Sequence, residues 1–164
     1  MKKKALITGI TGMVGSHLAD FLIERTDWEI YGLCRWRSPL DNISHLLPRI
    51  NANDRLHLVY GDLRDYVSIH EAVRKAKPDY VFHLAAQSYP KTSFDSPLDT
   101  LETNIQGTAN VLEALRKNDI QPITHVCASS EVFGRVPKEK LPIDEECTFH
   151  PASPYAISKV GTDL

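Results

Sequence analysis

A doubly wound α/β sheet, with parallel strands and helices on both faces, is the fold class this sequence predicts. Short apolar runs alternate with stretches of helical periodicity along the chain, the order that βαβ units require. The apolar runs are near-continuous, as in Tyr80-Val81-Phe82-His83-Leu84, which suits strands covered on both faces. A glycine-rich segment, Thr8-Gly9-Ile10-Thr11-Gly12-Met13-Val14-Gly15, joins the first apolar run to the first helical pattern.

The elements follow in order. Ala5-Leu6-Ile7 marks a strand over Lys4–Thr8, and the amphipathic stretch from Val14 to Glu24 places a helix at Met13–Arg25. Glu29–Cys34 is the second strand, and Ser38–Ile50 holds a short helix or a loop. Leu56–Tyr60, Tyr80–Leu84 and Ile123–Ala128 are the remaining strands, with helices at Tyr66–Lys75 and Pro97–Lys117 between them. Gly134–Ser153, rich in proline and charge, reads as a long loop of the kind often tied to function. A last helix begins near Ser153 or Pro154, since proline suits a first helical position after a serine cap, and runs off the end of the chain.

The 164 residues suggest one domain with a core of useful size. A hydrophobic share of 42% and a charged share of 24% fit a soluble globular protein. A net charge of −2 gives no general attraction to nucleic acid or membrane, so neither is expected as a partner. No apolar run approaches a membrane span and no signal peptide is visible. Cys34, Cys127 and Cys147 form no CxxC pair, and two of them lie in apolar runs, which points to a reducing cytoplasm. The seven histidines show no zinc spacing, and no metal is expected.

The glycine segment carries the first functional signal. Its spacing is GxxGxxG, one residue looser than the common dinucleotide fingerprint, and it lies between strand and helix as that fingerprint requires. Gly9 allows a tight turn, Gly12 lets backbone approach a pyrophosphate, and Gly15 lets helix pack close to strand. The helix start then offers free N–H groups to phosphates. Gly9, Thr11, Gly12, Met13, Val14 and Gly15 are therefore candidates for cofactor contact; the alternative is a structural turn with spare glycines. The second strand ends Leu33-Cys34-Arg35-Trp36-Arg37, where an NAD site usually places a carboxylate. Arginine forks suit a phosphate, so Arg35 and Arg37 favour NADP unless they are merely loop charges.

The second signal is Ser129-Ser130-Glu131 followed by Tyr155-Ala-Ile-Ser-Lys159. Tyr155 and Lys159 share one helical face, and an ammonium beside a phenol favours the phenolate, which makes Tyr155 a candidate acid/base. Many surface helices also carry this pair. Glu131 is a second, independent acid/base candidate, or else a carboxylate favoured by a helix start. His83 reads as a satisfied core histidine, while Asn104 is equally a capping residue or a site residue.

TGITGMVGSHL (8–18), YGDLRD (60–65), HLAAQS (83–88), ASSEVFG (128–134) and SPYAISK (153–159) together resemble the extended short-chain dehydrogenases/reductases that act on nucleotide sugars. AAQSYPKTSFD (85–95) and GLCRWRSPLDN (32–42) place the resemblance nearest to GDP-mannose 4,6-dehydratases and related GDP-sugar dehydratases. The resemblance implies a Rossmann-type fold and a GDP-sugar substrate turned into a 4-keto-6-deoxy sugar. It implies catalytic roles for Ser129, Glu131, Tyr155 and Lys159. To NADP it assigns Asp62 and Leu63 beside the adenine, Leu84, Ala85, Ala86, Tyr155 and Lys159, and to the substrate Gln87, Ser88, Ser130 and Glu131. Such enzymes run well beyond this length. Residues 1–164 are thus expected to be an NADP-binding domain, incomplete at its C-terminal end, with the substrate domain absent. That piece is expected to be inactive alone and a homo-oligomer when full length, with the helix matching Pro97–Lys117 and the one near Ser153 packing on a partner. An epimerase or 4-keto-sugar reductase on the same scaffold needs Tyr155 and Lys159 but not Glu131. A non-catalytic NADP-binding module needs none of the four.

Overall fold

The computed structural model describes residues 2–163. Five parallel strands, β1 (Lys4–Thr8), β2 (Glu29–Cys34), β3 (Leu56–Tyr60), β4 (Tyr80–His83) and β5 (Ile123–Val126), form one sheet in the order β3-β2-β1-β4-β5. The chain runs outward from β1 to β3, then crosses back to place β4 on the other side of β1. This is a Rossmann-type sheet, with its switch point between β1 and β4.

Strand periodicity divides the core into two layers. Leu6, Leu33, Val59 and Val81 face helices α3 (Tyr66–Ala76) and α6 (Gly107–Lys117), meeting Ile69, Val73, Val111 and Leu115. Ala5, Ile7, Ile30 and Leu56 face the other way, onto Ala19, Leu22 and Ile23 of α1 (Met13–Arg25) and onto Ile43 and Leu46. Leu6 and Ile7 are neighbours in sequence and fully buried in opposite layers. Truncating either to alanine is expected to cost about 2–5 kcal/mol.

Ser38–Ile50 resolves into a 3₁₀ turn (Asp41–Leu46) and a short helix, α2 (Leu47–Asn51). The helix expected over Pro97–Lys117 follows one path but is not uniform. It consists of α5 (Pro97–Leu101), a π-helical turn (Glu102–Gln106) and α6. The Thr108 hydroxyl donates to the Asn104 carbonyl at 2.7 Å, and a hydroxyl competing for a ladder carbonyl bends a helix. A short helix not foreseen, α4 (Pro90–Asp95), starts on Pro90. Its signal was a proline at a first helical position, too short for periodicity to show.

Two strands end earlier than expected. Leu84 and Ala85 turn their N–H groups to the Thr8 hydroxyl, both at 3.1 Å, instead of continuing β4. Cys127 still donates to the His83 carbonyl, but its own carbonyl leaves the ladder to accept from Lys159. The loop 134–153 carries only one 3₁₀ turn, Lys138–Lys140. The last helix, α7 (Pro154–Asp163), packs on α4, α5, the π turn and a 3₁₀ turn at Ser130–Phe133.

No helix among the described residues is long and apolar enough to cross a membrane. No group of three His, Cys, Asp or Glu side chains among them is placed to hold a metal ion.

Candidate functional site

A cleft of about 360 Å³ opens at the C-terminal ends of β1 to β4, where ligands of open α/β sheets bind. The glycine segment forms its base. Gly9 has φ +76°, and a Cβ there would lie 3.0 Å from the Ala85 backbone. A Cβ on Gly15 would lie 2.3 Å from the Gly9 carbonyl, so only glycine lets α1 rest on the turn that starts it. Gly12 is the α1 N-cap, with no side-chain cap and no acidic residue in the first turn. The positive end of α1 is left open toward the cleft side of the loop. Asn42 fastens this loop by donating to the Thr11 carbonyl at 2.8 Å.

Thr11, Gly9 and Gly12 line the cleft; Met13 and Val14 do not, and their side chains are exposed. Both arginines are exposed, but only Arg35, together with Ser38, lines the cleft. Asp62, Leu63 and Arg64 form the β3 end. Partial burial pushes the Asp62 carboxyl up, but the Arg64 N–H and guanidinium outweigh it. Together with Arg35 they hold the carboxyl below the usual carboxylate range. Leu63 is buried and anchors this end in the core.

Leu84, Ala85, Ala86, Gln87 and Ser88 form the wall that follows β4. A buried hydrogen-bond chain sets its shape, and donor counting fixes the direction of each bond. The Thr8 hydroxyl oxygen already accepts from Leu84 and Ala85, so its proton goes to Nδ1 of His83, 2.8 Å away. His83 therefore donates through Nε2 to the Thr108 hydroxyl at 3.0 Å, whose proton goes to the Asn104 carbonyl. Burial, and then the nearby Lys159 charge, push the His83 pKa down to about 4, which keeps the ring neutral. The Asn104 side chain clamps Gln87, accepting from its N–H at 2.8 Å and donating to its carbonyl at 3.1 Å, and also donates to the Ser158 hydroxyl. Gln87 Nε2 donates to the Tyr89 carbonyl, while its buried Oε1 meets no donor. That orphaned acceptor lies on a residue of the cleft wall.

The remaining candidates gather beyond β5 rather than around the cleft's lining. Ser129 caps the 3₁₀ turn that follows β5, its hydroxyl accepting from the Glu131 N–H at 3.2 Å. Ser129 is half-buried, and Ser130 and Glu131 on that turn are exposed. Tyr155 and Lys159 are both buried on α7, which packs against the same turn. The Lys159 ammonium donates to the Cys127 carbonyl at 2.7 Å. Burial lowers its pKa, with Cys127 pulling weakly the other way. Ser129, Glu131, Tyr155 and Lys159 are thus brought to one end of the sheet by two elements that touch.

Ser38, Gly61, Arg64, Asp99 and Thr103 also line the cleft; Gly61 and Arg64 fall within YGDLRD and Ser38 within GLCRWRSPLDN, but none of the five is singled out by the sequence. Ser38 follows Arg37 directly, and a hydroxyl beside an arginine pair is the one cue that could have marked it. Asp99 and Thr103 come from the α5–π segment, and only tertiary packing brings them there.

The family model for GDP-mannose 4,6 dehydratase matches residues 6–164. A GDP-mannose 4,6-dehydratase of Vibrio cholerae is 39% identical over 98% of this chain and 44% of its own length. Arabidopsis thaliana GDP-mannose 4,6 dehydratase 1 is 41% identical over 96% of this chain and 45% of its own. Among solved structures, a Thermus thermophilus UDP-glucose 4-epimerase in complex with NAD matches with TM-score 0.81 and 30% identity, over 97% of this chain and 48% of that one. RMD from Pseudomonas aeruginosa complexed with NADPH matches with TM-score 0.74 and 29% identity, over 98% and 47%. The chain spans less than half the length of the curated relatives it matches.

Proposed function

This chain belongs to the GDP-mannose 4,6-dehydratase family, and we propose that it is the cofactor-binding portion of an NADP-dependent GDP-sugar 4,6-dehydratase. On this reading residues 1–164 form a Rossmann-type NADP domain, the substrate is a GDP-sugar such as GDP-mannose, and the product is a 4-keto-6-deoxy sugar.

The cleft residues fit the dinucleotide. Gly12 leaves backbone and the open α1 start for a pyrophosphate. Arg35 and Ser38 line the cleft and would hold a ribose 2′-phosphate, with no carboxylate on residues 35–38 to repel it. Asp62 and Leu63 would flank adenine, and Leu84 to Ala86 would run beside the nicotinamide half. The unpartnered Gln87 Oε1 is available to a ligand hydroxyl or amide.

Tyr155 would take the proton of the sugar C4 hydroxyl, with the Ser129 hydroxyl donating to the same oxygen. Lys159 gives one N–H to Cys127, which leaves two for the phenolate and a ribose hydroxyl. The bound nicotinamide supplies the hydride acceptor and donor. The 4-keto group acidifies C5–H. Glu131 would take that proton and pass one to the departing C6 hydroxyl, which leaves as water.

The observation that supports this most is Glu131 on the turn that Ser129 caps and α7 covers. The test is to incubate the protein encoded by the full reading frame with GDP-mannose and NADP⁺ and to follow the sugar by mass spectrometry. Loss of one water without net NADPH is expected. Epimerised but undehydrated sugar, or no change, would defeat the proposal.

A further inference from the structure

Arg64 lines the cleft at its β3 end, and although it falls within YGDLRD the sequence gives it no role of its own. Its guanidinium is held from two sides. Nε donates to Asp62 Oδ1 at 3.3 Å and Nη2 to Asp62 Oδ2 at 3.5 Å, while Nη1 donates to Asp99 Oδ1 on α5 at 2.8 Å. The Arg64 backbone N–H also binds Asp62 Oδ1, at 3.0 Å. Guanidinium donors lie in the plane of the group, so these bonds occupy its edges and leave its faces free. The plane is thereby braced across the cleft from the end of β3 to α5.

The charges decide what such a platform would hold. One guanidinium between two carboxylates carries a net charge of −1, which repels a phosphate. Arg35, at the end of β2, has no ion-pair partner among the described residues and is the cation left for phosphate. Three of the five guanidinium N–H groups are engaged, and a planar cation braced in this way suits the π-face of a base.

We propose that Arg64, held by Asp62 and Asp99, is the stacking platform for the purine base of the nucleotide cofactor. This rests on the cofactor assignment above and adds the residue that recognises its base. It also assigns Asp99 a positioning role, because Asp99 reaches Arg64 from outside the loop.

The experiment is a fluorescence titration of NADPH and NADH into the wild type, Arg64→Ala, Arg64→Lys and Asp99→Asn, with folding checked by circular dichroism. Base stacking is common to both cofactors. Arg64→Ala is therefore expected to weaken both by the same factor, about three- to thirtyfold, and to leave their ratio unchanged. Arg64→Lys keeps the charge but loses the plane and should not rescue binding. Asp99→Asn should give a smaller, parallel loss. Wild-type affinity in Arg64→Ala, or full rescue by lysine, overturns the platform while the cofactor assignment stands. A selective loss of NADPH would mean that Arg64 serves the phosphate, which also overturns it. A wild type that binds neither cofactor defeats both proposals together.

Discussion

Lys159, on the last helix, and Cys127, just past the last strand, are joined by a 2.7 Å hydrogen bond from ammonium to carbonyl. That bond fixes the lysine head where β5 ends, just before the turn bearing Ser129 and Glu131. In the full-length protein, Lys159→Met should lower turnover about 10²–10⁴-fold. It should weaken NADPH binding by a charge-assisted bond, about 1.5–3 kcal/mol. Steady-state kinetics and cofactor titration measure the two effects. Unchanged values would leave Lys159 a structural strap between helix and strand.

Cofactor choice should rest on Arg35. Only Arg35 of the two arginines lines the cleft. Arg35→Ala is expected to weaken NADPH about 10- to 100-fold and NADH little, and so to erase the preference. Arg37→Ala should change neither. Equal wild-type affinity for the two cofactors would remove the basis of the assignment.

Glu131→Gln and Tyr155→Phe should separate the halves of the reaction in the full-length protein. Glu131→Gln keeps size but loses the base, so C4 oxidation can proceed and transient NADPH absorbance is expected. Tyr155→Phe should give none. Deuterium exchange at C5 should vanish in both, with overall rates down about 10²–10⁴-fold. Wild-type dehydration by Glu131→Gln would assign that carboxylate to the turn alone.

Gly15→Ala should cost about 1–3 kcal/mol in urea unfolding, because a methyl 2.3 Å from the Gly9 carbonyl must push α1 off the loop. NADPH binding should fall with it. Unaltered stability would show that the loop has room to yield.

His83 should give the protein a defined acid limb. Its folded pKa, about 4, lies below the 6.5 of the free side chain. Above 6.5 the ring is neutral in both states. Between 6.5 and 4 the unfolded chain takes a proton that the folded one refuses, so stability falls as pH falls. Below about 4 both carry it and the loss stops. The full effect is about 3 kcal/mol. Denaturant unfolding at pH 7 and pH 4.5 should show this fall in the wild type and a flatter profile in His83→Gln. Identical profiles would place the acid sensitivity elsewhere.

The strands, α1 and the glycine turn were legible because each depends on local pattern: Leu6 and Ile7 in an apolar run, Gly9 and Gly15 at a strand–helix junction. The short ends of β4 and β5 were not, because Thr8 and Lys159 take the backbone groups that would extend them. Thr8 lies 75 residues from His83 and Asn104 lies 54 from Ser158, and no periodicity links such positions. Arg64 falls within YGDLRD, but its bracing was hidden for the same reason: it depends on Asp99, which reaches it across 35 residues. The π turn at Glu102–Gln106 interrupts a helix whose periodicity is continuous in the sequence, a departure too fine for helix propensity to reveal.

Among the described residues β5 is the outer strand on its side of the sheet, and Ile123 on it is 68% exposed. Such an edge offers unpaired N–H and C=O groups beside apolar side chains to any extended chain that meets it. Strand pairing between copies of residues 2–163 is expected to begin there, and Ile123→Lys to slow it, as light scattering of concentrated solutions would show.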